Sequence, residues 1–121
     1  MKKKALVVDD NSNNLLLEKD LLELAGFEVI EAENALSGIS LAGQVKPDVI
    51  IMDVRLPDMR GFTAAKILRR SPVTRQIPIV FVTASVMPEG RKELEAISNS
   101  GFIGKPINTR TFAADISRFI V

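Results

Sequence analysis

Several short apolar segments of this sequence end at residues whose side chains can bind metal or phosphate. Five such residues stand at these ends: Asp9, Asp10, Asp53, Thr83 and Lys105. Carboxylates bind hard cations, whereas hydroxyl and ammonium groups can donate hydrogen bonds to phosphoryl oxygens. One carboxylate could also act as a nucleophile that needs no separate base. If these residues meet, phosphoryl transfer is the chemistry that they suit best.

Three carboxylates in one site are costly unless a cation accompanies them. Two of them about 4 Å apart repel by ~4 kcal/mol at an effective dielectric constant near 20. Lys105 alone could not compensate all three, so either some are protonated or a divalent cation lies among them. We favour the cation, and Mg²⁺ suits a small site made of oxygen ligands.

The composition excludes other kinds of chemistry. The chain has no Cys and no His, which excludes thiolate metal sites, disulfides and catalytic Cys–His pairs. The net charge is +1, and the basic run at residues 2–4 is interpreted as a solvated segment rather than a nucleic-acid contact. No apolar run approaches the ~18 residues of a membrane span, so we expect a cytoplasmic protein without membrane or nucleic-acid partners.

Short apolar segments alternate with helical patterns along the chain. Strands are predicted at residues 5–8, 27–31, 49–52, 79–82 and 102–103. Between and after them, helical faces are predicted through Leu17, Leu21 and Leu24; through Ala35, Gly38, Ile39 and Ala42; through Phe62, Ala65 and Leu68 within 62–70; through Leu94 and Ile97 within 88–99; and through Phe112, Ile116, Phe119 and Ile120. Asn11 or Ser12 is expected to cap the first helix and Thr109 the last.

This alternation predicts an α/β fold with a doubly wound, five-stranded parallel sheet. Right-handed crossovers place helices on both faces, and the expected strand order is 2-1-3-4-5, as in flavodoxin-like proteins. The 121 residues fit one domain, residues 1–121. Ligands of such sheets bind at the carboxyl ends of the strands, where the five polar residues above are expected.

In combination, four motifs resemble the receiver domains of two-component response regulators. The motifs are Val8-Asp9-Asp10-Asn11, Met52-Asp53-Val54-Arg55-Leu56-Pro57 followed by Gly61, Val82-Thr83-Ala84, and Lys105-Pro106. The resemblance covers essentially the whole chain. It implies a regulatory switch rather than an enzyme, in which Asp53 accepts a phosphoryl group from a histidine kinase or phosphotransfer protein.

The resemblance also implies a set of protein ligands for Mg²⁺. They are Asp10 and Asp53 directly, Asp9 through water, and the backbone carbonyl of Arg55. Signalling would follow through a downstream protein bound at the surface formed by helix 4, strand 5 and helix 5.

The same resemblance assigns roles around the phosphoryl group. Lys105 would pair first with Asp53 and then with that group, while Thr83 would move towards it and Ala84 would leave room for it. Phe102 matches an aromatic switch position, although it could also be a core aromatic, and Thr83 could be an ordinary strand residue. Lys105-Pro106 would be a cis peptide bond.

Other functions of the same fold fit the sequence less well. A Mg²⁺-dependent phosphatase with an aspartyl nucleophile usually has a second Asp two residues later, where this chain has Arg55. A flavin-binding electron carrier would have a phosphate loop rich in Ser, Thr and Gly after strand 1, where this chain has Asp9 and Asp10. A Walker phosphate loop would need Ser or Thr in place of Pro106.

Three positions depart from common choices in the family or affect its kinetics. Arg60 stands where Asp is frequent and is interpreted as neutral, while Arg55 and Ser85 occupy positions that tune the dephosphorylation rate. The sequence leaves the lifetime of the phosphorylated form open. It also contains no output domain, so we expect output by protein contact or a module taken from a larger regulator.

Overall fold

The computed structural model describes residues 2–84 and 88–120, and the side chains of all of these except residues 88–90. The strands are β1 (Lys4–Val8), β2 (Glu28–Ala32), β3 (Val49–Asp53), β4 (Ile79–Thr83) and β5 (Ser100–Gly104). The helices are α1 (Ser12–Leu24), α2 (Ala35–Val45), α3 (Gly61–Arg70), α4 (Pro88–Glu95) and α5 (Phe112–Ser117). All strand pairs are parallel and their order is β2-β1-β3-β4-β5, which confirms the predicted fold.

Alternate residues of the central strands fill two separate cores, one on each face of the sheet. On one face Leu6, Ile50 and Phe81 pack with residues of α2 and α3. On the other face Val7 and Val80 pack with residues of α1 and α5. Burial on both faces explains why β1, β3 and β4 are continuous apolar runs, because neither set of side chains meets water.

The α1 helix is rotated relative to the sequence prediction. Asn11 caps it as expected, since its side-chain oxygen accepts the backbone N–H groups of Asn13 and Asn14. The predicted face was wrong, however, because Leu17 is 40% and Leu24 86% exposed. The residues that the helix buries are Leu15, Glu18 and Leu22.

The other helices differ from the prediction mainly at their ends. The α4 helix ends at Glu95 rather than at residue 99, and Ile97 is buried beyond it. The predicted Thr109 cap of α5 was wrong, because Thr111 occupies the cap position and makes no side-chain capping hydrogen bond. The helix begins at Phe112, whose N–H donates to the backbone oxygen of Asn108. The Asn108 side chain meanwhile accepts the N–H of Arg110. Asn108 therefore shapes the turn that leads into α5.

A glycine and a proline follow the ends of the first two helices. Gly26 follows α1 with a φ of 96°, a conformation in which a side chain would be strained. Pro47 follows Lys46, which ends α2 in the left-handed conformation. Within residues 2–84 and 88–120, no helix has the length and hydropathy that a membrane crossing requires.

Candidate functional site

The carboxyl edge of the sheet brings the predicted polar residues together. Asp9 follows β1, Asp53 and Thr83 are the last residues of β3 and β4, and Lys105 follows β5. Asp9 is 2% exposed and Thr83 is 5% exposed. Because the strands are parallel and in register, their ends deliver these side chains to one place.

The three aspartates form a single acidic cluster. One carboxylate oxygen from each of Asp9, Asp10 and Asp53 lies within 4.8 Å of the others. The Lys105 ammonium donates to Oδ2 of Asp53 at 3.0 Å and to Oδ2 of Asp9 at 3.3 Å. One lysine thus faces three carboxylates, so the cluster keeps an excess of negative charge when all three are ionised.

Lys105 is held in its charged form by these contacts. Burial alone would lower the pKa of its ammonium group, but the hydrogen bond to Asp53 and the charges of Asp9 and Asp53 outweigh burial and raise the pKa above its usual value. Lys105 therefore offers a fixed positive charge at the mouth of the site. Its peptide bond to Pro106 is cis.

Backbone hydrogen bonds orient two of the carboxylates. Oδ1 of Asp9 accepts the N–H of Asn11 at 2.9 Å, and Oδ1 of Asp53 accepts the N–H of Arg55 at 3.1 Å. In both residues the second oxygen is the one that Lys105 contacts. These carboxylate oxygens are hard donors, and the cluster they form with Asp10 fits the preference of Mg²⁺ for oxygen ligands.

A cavity of about 210 Å³ opens beside the cluster. Its walls are Asp53, Arg55, Thr83, Ala84 and Lys105. The backbone N–H of Lys105 donates to the carbonyl oxygen of Thr83 at 2.8 Å, which ties the ends of β4 and β5 together. A carboxylate, a hydroxyl and an ammonium thus surround one space of suitable size for a phosphoryl group. Ser85 lies outside the described residues.

The loop between β3 and α3 approaches Asp53 closely. The N–H of Gly61 donates to the carbonyl oxygen of Val54 at 2.7 Å, and a Cβ at Gly61 would collide with the carbonyl oxygen of Asp53. Asp58 in this loop accepts the N–H groups of Ala35 and Leu36, both at 2.9 Å. The hydrogen bond from Ala35 is the main reason why the pKa of Asp58 is lowered. The loop is therefore fixed to the start of α2.

Arg60 makes a specific contact that its neutral interpretation did not foresee. Its guanidinium group forms a 2.6 Å ion pair with Glu93 of α4 and also lies 5.6 Å from the centre of the Phe62 ring. The loop that carries Arg60 thus contacts α4 through a side chain.

Phe102 is a surface residue rather than a core aromatic. It is 39% exposed, and the guanidinium group of Arg91 lies 5.8 Å from the centre of its ring. The core alternative was therefore wrong, while the switch role remains a prediction.

Glu18 is the residue near the site that the sequence analysis missed. It is 2% exposed. Burial, followed by the charge of Asp9, raises the pKa of its carboxyl group to about 8, although Lys105 opposes this. The sequence does indicate the burial of Glu18, because it lies three residues after Leu15 and four before Leu22, on the same side of the helix. Recognising this requires that the buried face of α1 be chosen correctly.

Comparisons with known proteins agree with this geometry. The chain is 33% identical over 120 residues to the polar-differentiation response regulator DivK of Brucella anthropi, which covers 99% of this chain and 98% of that protein. The structure of the present chain resembles that of the chemotaxis response regulator CheY4 of Vibrio cholerae, with a TM-score of 0.92 and 31% identity. The alignment covers 99% of this chain and 100% of the CheY4 chain. A CheY-like receiver domain from Methanospirillum hungatei aligns with a TM-score of 0.88 and 27% identity over 98% and 93% of the two chains.

The family model of the response regulator receiver domain matches residues 5–117. That range contains every residue of the acidic cluster, both other strand-end residues and Glu18. Receiver domains are regulatory modules of two-component signalling systems. This chain belongs to the response regulator receiver domain family.

Proposed function

We propose that residues 1–121 form one receiver domain that works in the cytoplasm as a Mg²⁺-dependent switch phosphorylated on Asp53. The observation that carries this proposal is the position of Asp53. Among the described residues, Asp53 is the one member of the acidic cluster that lines the 210 Å³ cavity. Its carboxylate also accepts a hydrogen bond from Lys105 at 3.0 Å. Asp9 is 2% exposed and leaves little room for an added group.

The surrounding residues favour nucleophilic attack by Asp53. A new bond forms between a carboxylate oxygen of Asp53 and phosphorus while the bond between phosphorus and the donor breaks, and the donor keeps that electron pair. Lys105 then binds a phosphoryl oxygen, and the Thr83 hydroxyl donates to another. Mg²⁺, held by Asp10, Asp53 and the Arg55 carbonyl and through water by Asp9, would neutralise charge on the phosphoryl group.

The donor in this proposal is a histidine kinase or a phosphotransfer protein. A phosphohistidine donor suits a site without a general acid, because the imidazole leaves readily. Arg55 lines the cavity where an aspartyl phosphatase would need its second Asp, which favours the switch over repeated hydrolysis.

The output in this proposal passes through the surface formed by α4, β5 and α5. Exposed Phe102 lies on this surface, with Arg91 of α4 on one side. On its other side, Phe102 lines a cavity of about 380 Å³, and Phe119, which follows α5, lines the same cavity. Movement of Thr83 and Phe102 on phosphorylation would change which apolar atoms a downstream protein meets.

Intact-mass spectrometry after incubation with Mg²⁺ and acetyl phosphate tests this function. The wild type should gain the mass of one phosphoryl group, the Asp53→Asn variant should gain none, and a chelator should abolish the gain. Asp20→Asn is the matched control, because Asp20 is an exposed aspartate of α1 away from the cluster and should leave the gain unchanged. Unaltered labelling of Asp53→Asn would reject the proposal.

A further inference from the structure

A second cavity adjoins the first one on the side of α1. It has a volume of about 390 Å³, and its walls include Leu17 and Glu18 of α1 together with Lys105, Pro106 and Ile107. Ala84 and Lys105 line both cavities, so the two spaces are neighbours across these residues. Cavities of this volume that are largely apolar and contain a few polar groups are typical small-molecule sites.

The unusual feature of this cavity is the carboxylate of Glu18. The residue is 2% exposed, and what remains accessible faces the cavity that it lines. No group in the described part of the chain donates a hydrogen bond to this carboxylate or forms an ion pair with it. Lys105, the nearby cation, is already shared between Asp9 and Asp53. In the described part of the chain, every side-chain nitrogen or oxygen atom that is cut off from solvent has a hydrogen-bond partner, so the Glu18 oxygens must remain accessible from the cavity.

We propose that the second cavity binds a small organic ammonium ion, whose charged group pairs with Glu18 and whose hydrocarbon part packs against Leu17, Pro106 and Ile107. The proposal goes beyond the switch function and does not require phosphorylation of Asp53. It assigns a ligand-binding role to Glu18, a residue outside the acidic cluster.

The carboxylate of Glu18 selects a cation over an anion or a neutral molecule. Among the described residues, Glu18 and Lys105 are the charged ones that line the cavity, and Lys105 already pairs with Asp9 and Asp53. Burial and the charges of Asp9 and Asp53 raise the pKa of Glu18, and Lys105 only partly opposes this. An ammonium ion supplies a second cation and up to three hydrogen-bond donors.

The apolar walls set the second requirement for the ligand. Leu17, Pro106 and Ile107 offer hydrocarbon surface beside the carboxylate, so an ion with an alkyl chain should bind better than ammonium alone. The n-butylammonium ion has both parts and is a suitable probe. The matched probes n-butanol and butyrate keep the chain but remove or reverse the charge.

The proposal is tested by titrating the metal-free, ¹⁵N-labelled protein with each probe and following the amide NMR shifts, at a pH above the Glu18 pKa of about 8, where the carboxylate is ionised. We expect saturable shifts at Leu17 and Ile107 with n-butylammonium, and an affinity at least about tenfold higher than for n-butanol, because a charge-assisted hydrogen bond contributes about 1.5–3 kcal/mol. Butyrate should not bind. Equal affinities for the alcohol and the ammonium ion would overturn the proposal.

Variants of Glu18 separate this site from general attraction to the acidic protein surface. Glu18→Gln keeps the shape and Glu18→Leu suits a buried position, and both should weaken n-butylammonium binding by about tenfold or more. Glu23→Gln makes the same change at an exposed position of α1 and should leave binding unchanged. Retained binding in both Glu18 variants, or shifts centred on Asp9 and Asp53 instead of Leu17, would show that the assignment is wrong.

Discussion

Replacing Glu18 with glutamine should change how the free energy of unfolding depends on pH. The wild-type carboxyl group has a pKa of about 8 in the folded protein and an ordinary value of 4.5 in the unfolded chain, because folding buries it beside Asp9. A group with a raised carboxyl pKa stays protonated in the folded state while the unfolded chain releases its proton. The free energy of unfolding therefore decreases as the pH rises between these two values and stays lowered above the higher one.

The size of this penalty follows from the pKa difference. Below pH 4.5 Glu18 is protonated in both states and contributes no pH dependence. Above that value, stability falls by about 1.4 kcal/mol per pH unit, which amounts to roughly 3 kcal/mol at pH 7. The loss is complete once the pH exceeds the folded pKa of about 8. Glutamine cannot ionise, so Glu18→Gln should escape this loss.

Urea unfolding followed by far-ultraviolet circular dichroism measures the effect, since the chain contains no Trp or Tyr. The difference in unfolding free energy between Glu18→Gln and the wild type, measured without divalent metal, should grow in favour of the variant by roughly 3 kcal/mol between pH 4.5 and pH 7. Glu23→Gln, an exposed control, should show a nearly constant difference. A Glu18→Gln difference that is independent of pH would refute the reasoning.

Three further predictions concern the acidic cluster and the loop after β3. Gly61→Ala should destabilise the protein by about 1–3 kcal/mol in urea unfolding, because the added methyl group meets the Asp53 carbonyl oxygen; unchanged stability would contradict that close approach. A double-mutant cycle of Arg60→Ala and Glu93→Ala should give a coupling energy below about 1 kcal/mol, because the Arg60 side chain is 58% exposed. A coupling energy above about 2 kcal/mol would show that the pair is much stronger than a surface ion pair. Asp10→Asn should weaken Mg²⁺ binding at least about tenfold in isothermal titration calorimetry, and equal affinity would remove Asp10 from the metal site.

Most of the site could be predicted because the position of a residue at the end of a parallel strand depends on the strand order and not on side-chain conformations. The central strands β1, β3 and β4 are recognisable apolar runs, and the end of each run is visible as a change to a polar residue such as Asp53 or Thr83. Parallel order then brings these ends to one edge, whatever the conformations of the side chains. The cavity beside Asp53 and the contact between Asp53 and Lys105 follow from that arrangement.

The orientation of α1 could not be read from its leucines. The helix contains leucine at 15, 16, 17, 21, 22 and 24, so apolar residues occur on all of its sides. The face through Leu17 and Leu24 matches helical spacing as well as the face through Leu15 and Leu22, and only packing against the sheet decides between them. Because the wrong face was chosen, Glu18 was not among the predicted site residues.

Local hydrogen bonds explain the error at the start of α5. Thr109 has a good capping side chain, but Asn108 precedes it and can also stabilise a turn through its own backbone. In the structure Thr111 occupies the cap position without a side-chain capping hydrogen bond, while the Asn108 side chain accepts the Arg110 N–H and its carbonyl oxygen accepts the Phe112 N–H. Residue preferences cannot choose between two adjacent candidates of this kind.

We expect Asp53 to be the residue that receives the phosphoryl group. Borohydride reduces an aspartyl phosphate to homoserine, and peptide mass spectrometry then identifies the modified position. After treatment with Mg²⁺ and acetyl phosphate, we expect homoserine at position 53 and unmodified Asp9 and Asp10. Homoserine at position 9 or 10, or at none of the three, would contradict it.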